Sequence, residues 1–358
     1  MNNKKYFTNK LLNWNREDNK RPMPWKGEKD PYKIWLSEII LQQTRVEQGW
    51  DYYNRFLIAF PDLKTLAKAP EKKVFKLWEG LGYYTRCKNL IATAKFISKE
   101  YNGIFPGKYE EILSLKGVGP YTAAAIASFA FNLSYAVVDG NVFRVLSRFF
   151  GINMAVNSTD GKKIFSALAA ELLDKKQPGI YNQAIMDFGA VICKPKIPLC
   201  KICPLKSKCT AYLQDLVDKL PVKEKSLIRK SRWFYYLIVE YKGQIYVRKR
   251  APKDIWENLY DFILLETDVE HTVKKLKQTP LFKQIMTKNQ PAITSVSRLY
   301  LQHLTHQTIQ GQFIHIKIKE ALQLQGYKAV SYKKLAKLPF PKFITRYLEE
   351  NEPKPFER

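Results

Sequence analysis

No stretch of the sequence is long and apolar enough to cross a bilayer. The longest apolar run, near Ala123 to Ala130, falls well short of the ~20 residues that a spanning helix needs. Met1 to Leu12 is polar and basic and lacks the apolar stretch of a secretory signal, so a cytoplasmic protein with no membrane partner is expected. Acidic residues are scarce: 33 Asp and Glu stand against 60 Lys and Arg, a formal net charge of +27. That balance predicts attraction to a polyanion, of which nucleic acid is the commonest. Only five cysteines occur, four of them between 193 and 209 and Cys87 alone. Such crowding is not a disulfide framework and points to a reducing compartment and a metal site. Strand-like alternation is missing before about residue 215, which predicts an all-α first half.

A chain of 358 residues, 46% hydrophobic and 13% aromatic, can fill two cores of ordinary size. Its first half is organised around Leu115 to Thr122, read as Leu-Lys-Gly-Val-Gly-Pro-Tyr-Thr. A helix is predicted before it, Tyr109 to Ser114, and an apolar one after it, Thr122 to Phe131. Gly117 and Gly119 let the backbone turn sharply, and their amides precede a helix N-terminus, where an anion sits well. Such a helix-hairpin-helix suits a DNA phosphate. The octet alone leaves an ordinary helix connection open as well.

Residues 1–20 read as a short basic helix around Leu11, Leu12 and Trp14. Arg21-Pro22-Met23-Pro24-Trp25 reads as extended, because proline disfavours helix in the residue before it. From Asp30-Pro31 a helix begins on which Trp35, Glu38, Ile39 and Gln42 share one face. A carboxylate beside Trp and Ile loses hydration, which favours its protonated form, while periodicity alone leaves open a Glu38 that points sideways to solvent. Helices follow at Gln48 to Phe60, Leu63 to Lys68, Glu71 to Trp78 and Arg86 to Tyr101, the last two separated by Gly80-Leu81-Gly82-Tyr83-Tyr84. Phe129 to Val138 is expected to close the helix after the hairpin. Asp139-Gly140-Asn141 precedes another helix, Val142 to Phe149, so Asp139 lies where unpaired amides and the helix dipole favour a negative charge. A plain cap is the simpler role for it. Glu38 on an apolar face and Asp139 by a positive helix end are carboxylates in environments that push pKa values apart, the pattern of an acid and a base.

Asp160 to Leu173 and Ile180 to Val191 are two more predicted helices, followed by Cys193-x6-Cys200-x2-Cys203-x5-Cys209. Four thiolates suit either zinc or an iron–sulfur cluster. A single CxxC, with no second pair across a longer gap, favours the cluster. Lys194, Lys196, Lys201, Lys206 and Lys208 are interleaved and either contact DNA phosphate or form a solvated face. Asp215 to Arg229 is charged, carries Pro221 and has no sustained apolar period. It reads as a linker, 215–230, between a first domain of residues 1–214 and an α+β second domain of residues 231–358. There, Trp233 to Tyr241, a Lys242-Gly243 turn and Ile245 to Lys249 read as a hairpin, with Trp256 to Leu265 as a third strand. Arg298 to Ile309 and Phe313 to Ile318 read as a second hairpin joined through Gln310-Gly311, with helices at Val269 to Lys277 and Lys342 to Glu350.

Pro24-Trp25, Trp35 to Glu38, Leu41 to Thr44, Gly80 to Tyr84, Leu115 to Thr122, Asp139 to Val142 and the four cysteines together resemble the helix-hairpin-helix DNA glycosylases that carry a 4Fe–4S cluster. With the tail included, the sequence is similar to the adenine DNA glycosylase (MutY) family, and the second domain looks like the Nudix-type fold with which that family recognises 8-oxoguanine. The resemblance implies removal of adenine mispaired with 8-oxoguanine or guanine in double-stranded DNA during base excision repair. It also implies one 4Fe–4S cluster on Cys193, Cys200, Cys203 and Cys209, and a monomer at the nucleoid. Adenine leaves deoxyribose poorly unless its ring is protonated, and the anomeric carbon left behind is cationic. An acid near the base and an anion under the sugar supply what is lacking. By resemblance Glu38 is that acid, acting near N7 and then as a base for water. Asp139 stabilises the oxocarbenium-like centre, with Asn141 and Tyr121 in support. Arg21, Trp25 and Gln183 are implied near the extruded adenine. Gln43, Thr44, Leu81 and Tyr83 are implied beside the 8-oxoguanine, as contacts or wedges. Gly117 and Gly119 are implied on the DNA backbone. Thr305 and His306 fall in a lesion-reading loop, His303-Leu304-Thr305-His306, where Leu304 replaces an aromatic wedge.

Bifunctional relatives such as endonuclease III carry a lysine where this sequence has Tyr121, preceded by Pro120. Neither side chain forms a Schiff base, so base removal without efficient strand cleavage is expected. Residues 254–280 lack the Arg-Glu-x-x-Glu-Glu core of Nudix pyrophosphatases, so no phosphohydrolase activity is expected. His303 and His306 on a strand would point to opposite faces and share no metal. Two other readings compete. An endonuclease III-like glycosylase/lyase is opposed by Tyr121, Glu38 and the second domain. A non-catalytic iron–sulfur DNA-binding protein leaves Glu38 and Asp139 unexplained at the matched positions.

Overall fold

The computed structural model describes residues 3–224, 230–252, 255–286 and 292–351. Part of the predicted linker, 225–229, lies outside them. Helices run α1 (Asn3–Glu17), α2 (Pro31–Leu41), α3 (Val46–Ala59), α4 (Leu63–Lys68), α5 (Glu71–Trp78), α6 (Tyr84–Glu100), α7 (Tyr109–Ser114), α8 (Pro120–Phe131), α9 (Gly140–Phe150), α10 (Thr159–Leu172), α11 (Pro178–Val191) and α12 (Thr210–Leu213). Two compact units result: Met1–Lys68 with Lys88–Lys225, and Ala69–Cys87 with Ser226–Arg358. The helix α5 and the loop after it therefore pack with the β-containing unit.

In the helical unit α1 buries Phe7, Leu11 and Trp14, an i, i+4, i+7 stripe, against α9, α10 and α11. Trp14 meets Phe188 edge-on at 5.0 Å. The helix α8 ends earlier than its sequence suggests: Asn132 adopts the left-handed conformation and caps it, so residues 132–139 run on as a non-helical connection. Arg21 to Trp25 likewise is not extended throughout, since Met23 O accepts from Lys26 N at 3.1 Å and closes a turn around Pro24-Trp25.

The second unit is built on strands β1 (Lys230–Tyr241), β2 (Gln244–Lys249), β3 (Tyr260–Asp261), β4 (Ile263–Thr267), β5 (Ala292–Val296), β6 (Tyr300–His303), β7 (Gln307–Lys317) and β8 (Lys328–Ser331). The central strand β1 pairs antiparallel with β2 and β4 and parallel with β7, while β5 and β6 pair antiparallel with β7. Short helices α13 (Val273–Leu276), α14 (Pro280–Met286) and α15 (Tyr332–Leu335) and the longer α16 (Lys342–Asn351) complete it. The β1–β2 hairpin turns at Lys242-Gly243, as its sequence predicts. The third strand is split into β3 and β4 around Phe262, with Trp256 in a turn at φ +62°. The helix expected over Val269 to Lys277 is only the single turn of α13.

The second hairpin turns at residues 304–306, not at Gln310-Gly311. Gly311 sits inside β7 opposite Phe234 of β1, and a Cβ there would lie 1.9 Å from the Phe234 carbonyl oxygen. The glycine marks a close approach of two backbones, a reading that competes with a turn wherever glycine interrupts a strand pattern. Gly311→Ala is expected to cost about 3 kcal/mol or more, as overpacking against rigid backbone does. Thermal unfolding of the full chain would register this as a clear fall in Tm.

Candidate active site

Two short helices and a glycine turn build the hairpin. Gly117 takes φ +82° between α7 and α8, Val118 N bonds Leu115 O at 3.1 Å, and Gly119 caps α8 with Pro120 in its first turn. Both glycines are exposed. The first turn of α8 also carries Tyr121, whose ring reaches the buried face of α2.

Asp30 starts α2 by accepting from Tyr32 N at 2.9 Å, and residues 34–40 of the helix are all buried. Glu38 is thus only 6% exposed and shares a cavity with the apolar side chains of Trp25, Ile34 and Phe129. Burial pushes its carboxyl up to about 7. A hydrogen bond from the Tyr121 hydroxyl opposes the rise, and the negative charge of Asp139 adds to it. The same hydroxyl lies 3.4 Å from Met186 Sδ, a weaker acceptor than a carboxylate. Glu38, Tyr121 and Asp139 thus feel one another, which their separation in the sequence left open.

Asp139 caps α9. Its Oδ1 accepts from Asn141 N and Val142 N, each at 2.8 Å, and its Oδ2 accepts from Asn141 Nδ2 at 2.8 Å. Burial raises this carboxyl above its usual range, and the three donors and nearby Arg144 oppose the rise. Arg144 in turn donates to Asn141 Oδ1 at 2.8 Å, to Gly140 O, to Gly189 O and to the Cys193 carbonyl. One buried guanidinium therefore orients Asn141 and ties α9 to α11 and to the first cysteine.

Beside Glu38 opens a cavity of about 210 Å³, lined in part by Trp25, Ser37, Phe129, Ile180 and Gln183. Trp25 is braced edge-on by Tyr53 at 5.4 Å. Arg21 is not part of that lining. It pairs with Asp187 at 2.9 Å, as do Gln183 Nε2 at 2.9 Å, Asn19 Nδ2 at 2.8 Å and Lys26 at 3.5 Å. Asp187 is fully buried and organises this wall, yet the sequence reading missed it. The available signal was its position four residues after Gln183 on α11, one helical turn away. Arg144, three residues after Asn141, was missed for the same reason.

The other candidates lie elsewhere. Gln43 is exposed at φ +57° in the turn after α2, next to Thr44. In the second unit Leu81 is 5% exposed while Tyr83 is 47% exposed, so only Tyr83 presents its side chain at the surface. Thr305 and His306 sit exposed in the β6–β7 turn; His303 ends β6 and bonds Thr308 Oγ1 at 3.1 Å, so the two histidines do not both lie on a strand.

Cys193, Cys200, Cys203 and Cys209 line a single cavity with Arg148. Burial raises the Cys203 thiol to about 12, and the other three cysteines add to the rise. Arg148 contacts Cys193 Sγ at 3.5 Å and donates to the carbonyls of Lys194, Pro195 and Leu220, fixing the start of the loop. Among the described residues no three His, Cys, Asp or Glu side chains are gathered closely enough to hold one metal ion.

Residues 36–173 match the family described as HhH-GPD superfamily base excision DNA repair protein, and residues 234–350 match the NUDIX domain. The adenine DNA glycosylase of Buchnera aphidicola subsp. Baizongia pistaciae is 39% identical over 273 residues, which span 75% of this chain and 77% of that protein. The chain belongs to the adenine DNA glycosylase family. The Homo sapiens adenine DNA glycosylase is 41% identical over 214 residues, 57% of this chain and 39% of its own length. Among solved structures a thermostable thymine-DNA glycosylase, 31% identical, superposes with a TM-score of 0.55 over 59% of this chain and 97% of its own. As a member of the adenine DNA glycosylase family the protein is a DNA glycosylase of base excision repair, and DNA is the macromolecule it works on. Its helical unit has the helix-hairpin-helix glycosylase fold, and the sheet-containing unit is Nudix-like. No helix among the described residues is long and apolar enough to cross a membrane.

Proposed function

We propose that this glycosylase hydrolyses the N-glycosidic bond of adenine mispaired with 8-oxoguanine or guanine in double-stranded DNA, as a monomer at the nucleoid. Residues 1–214 would carry the chemistry and residues 231–358 would read the lesion. The observation that carries the proposal is Glu38, a buried carboxyl held near pKa 7 beside a cavity walled by Trp25 and Gln183. An acid so poised is part protonated at neutral pH and gives its proton without a large energetic penalty.

Adenine must leave the stack to reach such a group. Glu38 then donates its proton to N7 of the ring. The C1′–N9 bond breaks and its electron pair leaves with adenine. Asp139, fixed by three N–H donors that favour its charged form, faces the cationic sugar that remains. Water adds to C1′ and passes its proton to the Glu38 carboxylate, restoring the starting state. Tyr121 and Asn141 orient the two carboxyls, while Gln183 recognises the adenine from the cavity wall and Arg21 holds Asp187, on which Gln183 is anchored. Gln43, Thr44 and Tyr83 serve the 8-oxoguanine strand, Thr305 and His306 read the lesion from the second domain, and Gly117 and Gly119 offer amides to phosphate.

The four cysteines fit a 4Fe–4S cluster. They line one cavity, and a cluster takes one thiolate per iron, so the sulfurs need not converge on a point. Cys193, Cys200, Cys203 and Cys209 would hold the cluster, and its positive charge would keep these buried thiols deprotonated. Arg148 would orient Cys193, and the interleaved lysines would face DNA phosphate.

The test is a single-turnover assay on duplexes carrying adenine opposite 8-oxoguanine, guanine or thymine, each split with and without alkali. Strand breaks that need alkali, fastest opposite 8-oxoguanine, are the expected result. Breaks without alkali would mean lyase chemistry despite Tyr121. No base release from any duplex would refute the assignment.

A further inference from the structure

The turn that presents Tyr83 is backbone of an unfavourable kind. Gly80 and Gly82 take φ +88° and +79°, and Tyr83 itself takes φ +49°. A bulky residue in the left-handed region persists only where its surroundings impose it. Part of the restraint is local: Gly82 O accepts from Trp78 Nε1 at 2.9 Å and from Arg86 Nη2 at 3.3 Å. The Arg86 guanidinium also lies against both rings, 5.3 Å from Trp78 and 5.2 Å from Tyr83.

The rest comes from far along the chain. Residues 79 and 84 bracket the turn, and both bind the backbone of Phe340. Glu79 Oε1 accepts from Phe340 N at 2.8 Å, and the Tyr84 hydroxyl donates to Phe340 O at 3.0 Å. Lys76 reinforces the grip by pairing with Glu79 Oε2 and donating to Leu338 O at 3.1 Å. Phe340 is itself anchored, 2% exposed and stacked on Phe262 at 5.4 Å. The peptide is thus fixed, and both ends of the turn hang on it.

We propose that Glu79 and Tyr84, clasping the Phe340 peptide, are positioning residues that hold the 80–83 turn so that Tyr83 is presented to the DNA stack. This rests on the reading that Tyr83 wedges beside 8-oxoguanine. The 338–340 segment becomes a working part of the wedge, and damage to it weakens lesion discrimination without touching any group that meets the base.

The clasp is tested in the full, cluster-loaded protein with Tyr84→Phe, Glu79→Ala and Glu79→Gln. Tyr84→Phe keeps the ring and removes one bond, and Glu79→Gln keeps an acceptor for Phe340 N. The first readout is single-turnover adenine release opposite 8-oxoguanine and opposite guanine. The second is fluorescence of 2-aminopurine next to 8-oxoguanine in the bound duplex, which reports unstacking independently of catalysis. Tyr84→Phe and Glu79→Ala are expected to lose about tenfold in the preference for 8-oxoguanine and most of the unstacking signal, with Glu79→Gln near the parent. Combined with Tyr83→Ala, neither should add further loss, because both act through that ring. Losses that add to Tyr83→Ala, equal losses on both duplexes, or an unchanged unstacking signal would overturn the clasp. A parent that unstacks the probe but releases no adenine would instead overturn the glycosylase reading, with the fluorescence still deciding the clasp.

Discussion

Glu38→Gln is expected to slow adenine release about a thousandfold while leaving DNA affinity within a few-fold of the parent. Glutamine fills the same buried space but has no acidic proton to give. The parent should also show the ionisation. With the carboxyl near 7, the rate should fall tenfold per pH unit above that pH, as the acid form disappears. Stability carries the same signature. Glu38 binds its proton more tightly in the folded chain than a free glutamate, which titrates at about 4.5. Its favourable contribution is therefore full below about 4.5 and is lost as pH rises through about 7. The change corresponds to about 3 kcal/mol. Glu38→Gln should therefore gain on the parent in Tm between pH 5 and 8 and not below pH 4. A variant that kept full activity, or a parent rate flat to pH 9, would remove Glu38 from the acid role.

The same residue shows what the sequence could and could not disclose. Glu38 stood out because it interrupts an apolar helical face, and α2 proved buried on every side, so the carboxyl had nowhere to turn. Asp139 stood out as a cap, and it is one. Its second role depends on proximity to Glu38, which only the packing of α8 and α9 against their neighbours supplies. Asp187 and Arg144 were silent for the opposite reason. Each is a charged residue in an otherwise ordinary helix, and its importance lies in partners brought in from other helices. Gly311 misled because glycine in a strand pattern means either a turn or a close backbone approach, and the neighbour that decides, Phe234, lies 77 positions earlier. The Phe340 clasp was equally hidden: nothing in residues 79–84 announces that the peptide they grip comes from the far end of the chain.

Asp139→Asn separates the cap from the catalyst. Asparagine keeps a side-chain oxygen for Asn141 N and Val142 N, so the start of α9 should survive with Tm little changed. Asp139→Ala, which loses those bonds, should cost about 1 kcal/mol or more. What asparagine cannot keep is the charge. The cationic sugar would then face a neutral dipole in a site shielded from water, and adenine release should fall between about a hundredfold and a thousandfold. In the parent, the acid side of the pH profile should report Asp139, with a limb above the ordinary aspartate range because burial raises its carboxyl. If Asp139→Asn and the parent released adenine at similar rates, Asp139 would be a cap alone, and the cation would need another anion. Among the described residues Glu38 is the other carboxyl that feels Asp139, but it becomes charged only by giving its proton to the base, and that charge is then needed to take the proton of the attacking water. The chemistry calls for one carboxyl that gives a proton and a second that faces the cation, and the three N–H donors around Asp139 suit it to the second part.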